Sequence, residues 1–196
     1  MLKIKFPTKP YDTKRILQDS YEFKTGVNVL VGKNGIGKST LLRLLADSLI
    51  KKEIPFIVYN NLVDGGDNAM SLALNKGQMS MLRSLALHSE GEQISTNLGY
   101  FANKVGRFVH ENRKSNQRWI LLDAVDSGLS INNINELKSL FKLIKQDCKK
   151  NGIDVYIIAA ANTFALAKDE ACICVRSGQD MKFTNYEDFE NFILGQ

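Results

Sequence analysis

Apolar residues in this chain fall into short runs separated by longer stretches of helical spacing. Val27-Asn28-Val29-Leu30-Val31, bounded by Gly26 and Gly32, reads as a buried strand. Ile54 to Tyr59, Trp119 to Leu122 and Asp154 to Ala161 read the same way, and Met1 to Phe6 alternates like an edge strand. Between these runs, Leu41, Leu42, Leu44, Leu45 and Leu49 recur on one helical face. Ile131 to Lys150 repeats that spacing at Ile134, Leu137, Phe141 and Ile144, and stops at Lys149-Lys150-Asn151-Gly152. Glu92 to Asn112 is a further helix, weakened by Gly99 and Gly106, and Met70 to Leu87 reads as shorter helices. Tyr186 to Leu194 closes the chain as a short helix, with Phe183, Tyr186, Phe189 and Phe192 directed to the core. Strands alternating with helices predict an α/β fold with a mainly parallel sheet flanked by helices.

The 196 residues suit one α/β domain, and no linker or repeat divides them. No stretch reaches the roughly 18 apolar residues of a membrane helix, so no membrane insertion is expected. Cys148, Cys172 and Cys174 form neither a disulfide framework nor a metal-binding spacing, which predicts a reduced, cytoplasmic setting. A net charge of +5 permits contact with nucleic acid without requiring it.

The candidate chemistry begins at Gly32-Lys-Asn-Gly-Ile-Gly-Lys-Ser-Thr40. Gly32 and Gly37 bracket four residues ahead of Lys38 and Ser39, the spacing of a loop that wraps nucleotide phosphates. A strand before and a helix after aim backbone N–H groups and a helix N-terminus at an anion. Gly32, Asn34, Gly35, Gly37, Lys38, Ser39 and Thr40 are the expected phosphate contacts, with Lys38 on the β- and γ-phosphates and Ser39 on Mg²⁺. Trp119 to Asp123 has the form of a Walker B strand, whose terminal carboxylate joins the magnesium shell. ATP and Mg²⁺ are therefore the expected cofactors.

Ser89-Glu90-Gly91-Glu92-Gln93 resembles the signature of ABC ATPases, and Ala124 to Ser130 resembles the D-loop that follows Walker B in ABC and SMC-type ATPases. The chain is similar to small stand-alone ATP-binding cassette proteins of phages and mobile elements, which share an Asp-Ala-x-Asp-Ser-Gly-Leu-Ser run. The resemblance implies a small helical subdomain at about residues 62–115. It also implies an ATP-dependent homodimer, with Ser89, Gly91 and Glu92 of one subunit facing the γ-phosphate held by the other. Tyr11 would stack on adenine and Asn60 would meet the magnesium ion.

The departures from that pattern bear on chemistry. The family's catalytic glutamate is replaced by Ala124, and its switch histidine by Asn162. Lys38, Asp123 and Asp126 are left as the candidate catalytic groups; either the ATPase is slow or degenerate, or Asp126 or Glu92 supplies the missing carboxylate. Slow hydrolysis is expected, because general-base assistance is worth about 10²–10⁴-fold. Only 28 residues separate Asn60 from Ser89, too few for the long coiled coil of SMC proteins. The expected function is a soluble ATP-dependent switch acting on an unidentified protein or a nucleic acid. The alternatives are a non-hydrolysing regulatory module and the nucleotide-binding subunit of a larger transporter or defence complex. Contact with DNA would rest on the scattered pairs Lys14, Arg15, Lys51, Lys52, Arg113, Lys114 and Arg118.

Overall fold

The structure, a computed structural model, describes residues 2–6, 18–60, 90–111 and 115–195, with only the helical backbone described for 90–100. The chain opens with β1 (Leu2–Lys5) and β2 (Ser20–Phe23), continues through β3 (Gly26–Val31) and α1 (Lys38–Lys51), and reaches β4 (Phe56–Asn60). After α2 (Glu90–Glu111) come β5 (Gln117–Asp123), α3 (Ile131–Lys150), β6 (Asp154–Ala160) and the single-turn α4 (Phe164–Ala167). β7 (Ala171–Cys174), β8 (Asp180–Met181) and α5 (Tyr186–Leu194) complete it.

Six strands form one sheet in the order β4-β5-β6-β3-β7-β8, parallel except for the β7–β8 pair. This is the α/β fold expected from the alternating runs. Alternation along the central strands builds a core on each face. Val27, Val29 and Val31 of β3, Ile120 and Leu122 of β5, and Ile157 and Ala159 of β6 meet Phe101, Val105, Leu137 and Phe141 of α2 and α3. Leu30, Trp119, Leu121, Tyr156 and Ile158 point the other way, to Leu41, Leu45 and Leu49 of α1.

The edge strand expected at the N-terminus pairs with β2 as a separate antiparallel ribbon, from Leu2 opposite Phe23 to Lys5 opposite Ser20. Ile4, Tyr21 and Phe23 of that ribbon join the α1 core. Trp119, fully buried, stacks on Tyr156 at 4.3 Å and meets the edge of Phe23 at 5.7 Å. Aromatic pairs of this kind add about 0.5–1.5 kcal/mol each beyond their buried area. They tie the ribbon to the strand that ends in Asp123.

Two helices end in the same way with different residues. After α3, Gly152 takes φ 65° while its N–H bonds Lys149 and the Ile153 N–H bonds Cys148. After α1, Glu53 takes φ 53°, with its own N–H on Ile50 and that of Ile54 on Leu49. Both are Schellman closures, and the second places a side chain where glycine is the usual choice.

Candidate functional site

The loop expected to bind phosphate joins the buried end of β3 to the start of α1. Gly35 and Gly37 adopt φ 80° and 113°, backbone states that side chains disfavour, which accounts for the glycine spacing. Gly37 is the N-cap of α1, and no side chain caps that helix. The first-turn N–H groups therefore face outward as donors for an anion.

Lys38 is buried, and its ammonium donates to the carbonyls of Gly32 (2.6 Å) and Lys33 (3.3 Å). Burial pushes its pKa below the usual lysine range, while the carboxylates of Asp126 and Asp123 oppose that shift. The cation thus lies folded back on its own loop, and arriving phosphates would offer it better partners.

The acid strand β5 is not the neighbour of the loop strand β3, because β6 runs between them. Asp123 nevertheless reaches the loop: the Ser39 hydroxyl donates to its Oδ1 at 3.0 Å. These are two of the three side chains expected to meet Mg²⁺, Asn60 being the third. Magnesium keeps most of its waters and takes one or two protein oxygens beside those of the phosphates. A hydroxyl and a carboxylate in contact fit that ion, and among the described residues no cluster of three or more His, Cys, Asp or Glu forms a metal cage.

Asn34, Gly35, Gly37, Lys38, Ser39 and Thr40 line a pocket of about 270 Å³ together with Asp123, Ala124, Ala160 and Asn162. That lies just under the range for sites enclosing a whole small molecule. Asn162 follows β6, which explains how a position noted in the sequence only as a departure comes to face the loop. Ala124 holds φ 48° on the pocket wall and carries no group able to take a proton.

Asp126 stands apart from the role expected of it. It is 2 % exposed and is absent from the residues lining the pocket. Its Oδ2 accepts the N–H groups of Asn162 and Thr163, both at 2.7 Å, and the Thr163 hydroxyl at 2.9 Å. Its Oδ1 accepts from the Asn162 side chain at 3.4 Å. A carboxylate so occupied is anchored in the fold and is not presented as a base. Thr163 gave no signal in the sequence, since a threonine after a strand suggests only a helix cap.

Asn60 ends β4 directly opposite Asp123 in the parallel register, outside the pocket lining. Gly91 and Glu92 fall in the first turn of α2, whereas Tyr11 and Ser89 lie outside the described residues. Arg118, named above among the cations on which DNA contact would rest, is buried and donates to the carbonyls of Val109, Ser115 and Gln117. It is therefore removed from any nucleic-acid surface. All three cysteines are buried, and none forms a disulfide. No described helix is long and apolar enough to cross a membrane.

Comparison with curated proteins finds no match. A protein family described as AAA domain matches residues 21–162. That span, well over half of the chain, runs from β2 through the loop and the acid strand to Asn162, and the chain belongs to this AAA family of P-loop nucleoside triphosphatases.

Proposed function

We propose that the pocket binds ATP with Mg²⁺, hydrolyses it slowly, and uses the bound nucleotide to close a homodimer that acts on another macromolecule. The observation carrying this reading is the contact between Ser39 and Asp123, which joins the phosphate loop to the acid strand where the ion would sit. Ser39 and Asp123 would hold Mg²⁺, and Lys38 would leave the Gly32 carbonyl for the β- and γ-phosphates. The ion, when bound, neutralises charge on the phosphates.

Slow turnover follows from Ala124, which leaves the residue after the metal-side acid without a proton acceptor. The homodimer rests on the ABC-like signature, whose Gly91 and Glu92 open α2. A binding-only module is the second reading, and Ala124 favours it. Sizing the purified protein with and without MgATP, beside a phosphate-release assay, separates the two. Nucleotide-dependent dimerisation with turnover below about one per second supports the switch. A monomer that binds ATP without releasing phosphate supports the module, and absence of ATP binding defeats both.

A further inference from the structure

Asn162 borders the pocket yet is exposed, so packing does not fix its direction. What fixes it lies behind the wall. Asp126, three residues beyond Asp123, takes up the backbone N–H groups of Asn162 and of the residue after it. It also takes the Thr163 hydroxyl. Thr163 occupies the N-cap position of α4, but its side chain caps nothing in that helix. The hydroxyl is given to Asp126 instead, an exchange that helix stability alone does not call for.

We propose that Asp126 is a positioning residue for nucleotide hydrolysis: it clamps the turn after β6 so that Asn162 meets the γ-phosphate side of the pocket. This rests on the reading that the pocket holds and cleaves ATP. With the Asn162 Nδ2 donated to Asp126, the amide Oδ1 is the acceptor that this pocket-lining side chain has left to offer. An acceptor there orients the attacking water by taking a hydrogen bond from it, without removing its proton. The water oxygen bonds to the γ-phosphorus as the bond to the β,γ-bridging oxygen breaks; ADP leaves with that electron pair, and both protons of the water end on the released phosphate. The clamp also couples the segment after Asp123 to the segment after β6, so displacement of either moves Asn162.

The test is a double-mutant cycle of Asp126→Asn and Asn162→Ala, reading kcat, KM, affinity for MgADP and melting temperature. Asparagine at 126 keeps its oxygen on the N–H groups of residues 162 and 163 and sets its N–H₂ against the Asn162 side chain, whose amide must then reverse and present a donor to the pocket in place of its acceptor, with little change in volume. The expected result is a fall in kcat of tenfold or more for either single variant, with MgADP affinity within twofold of the wild type. The double variant should be no slower than Asn162→Ala alone. Multiplying effects, an unchanged kcat in Asp126→Asn, or a loss of MgADP affinity matching the loss of kcat would overturn the proposal.

Should Asp126→Asn fail to fold, Thr163→Val removes one donor to the clamp, and a fall in kcat of a few fold with the same insensitivity of MgADP binding is then expected. An unchanged kcat in that variant counts against the proposal. A wild type that binds MgATP without cleaving it removes the hydrolysis reading but leaves the clamp testable. The preference for MgATPγS over MgADP must then drop equally in Asp126→Asn and Asn162→Ala, and a preference unmoved in Asp126→Asn refutes the clamp.

Discussion

Replacing Lys38 by methionine separates the stability of the empty protein from its capacity to hold nucleotide. The ammonium makes two bonds to its own loop, to Gly32 and Lys33, and burial disfavours its charge. Methionine keeps the length of the stem, removes the desolvation penalty and leaves two carbonyls beside a pocket open to water. The net change in the empty protein is within about 1 kcal/mol. The nucleotide-bound state differs. MgATP at 100 times its dissociation constant stabilises the wild type by about 2.7 kcal/mol. For a chain of this size that raises the melting temperature by about 5–10 °C. Losing a cation that contacts two phosphates weakens binding by roughly 10²–10³-fold. The same MgATP concentration then gives Lys38→Met at most about 0.4 kcal/mol, near 1 °C. Differential scanning fluorimetry with and without MgATP reads both quantities. A Lys38→Met protein that keeps a shift of several degrees would refute the reasoning, as would one that melts far below the wild type when empty.

Further outcomes follow from other parts of the fold. Ala124 already holds its β-carbon in the left-handed region, and Glu53 shows that glutamate can occupy that region in this chain. Ala124→Glu should therefore fold and raise the rate of phosphate release by about 10²-fold; an unchanged rate would mean that a missing base is not what limits turnover. The terminal turns offer a matched pair. Glu53→Gly should raise stability in urea by about 0.5–1 kcal/mol, and Gly152→Ala, whose new β-carbon meets no atom within 4 Å, should lower it by about 1 kcal/mol from backbone strain alone. Alkaline solution should destabilise the protein. Burial pushes the Cys148 thiol up to about 11 and that of Cys172 to about 12, so the native state keeps protons that the unfolded chain releases. Their stabilisation is complete below about pH 9 and is lost as pH climbs toward 11 and 12, by up to roughly 4 kcal/mol together at pH 10.5. Chemical denaturation at pH 8 and 10.5 measures the loss, and Cys148→Ala/Cys172→Ala should flatten it.

The parts legible in the sequence were those with strong local signals. Ile131 to Lys150 and Tyr186 to Leu194 have the bounds that their spacing indicates, because apolar period and caps coincide there. The Gly32–Thr40 loop was legible for a similar reason: only glycines suit its backbone, and they stand at fixed intervals. β7 was not anticipated. Ala171-Cys-Ile-Cys174 is a short run whose cysteines suggest redox chemistry before they suggest a strand, yet pairing with β3 buries it. The place of Asp126 was equally hidden, since its partners lie 36 and 37 positions away. Sequence spacing put a carboxylate near the nucleotide, but only the meeting of two turns decided that it faces the backbone of Asn162 instead of the pocket.

A structure of the protein with a non-hydrolysable ATP analogue and Mg²⁺ tests the central claim most directly. The phosphates should lie within Gly32–Thr40, Lys38 should have moved from Gly32 to the β- and γ-phosphates, and the ion should stand between Ser39 and Asp123 in place of their hydrogen bond. An analogue bound elsewhere, or one bound with the Lys38–Gly32 and Ser39–Asp123 contacts intact, would contradict the account.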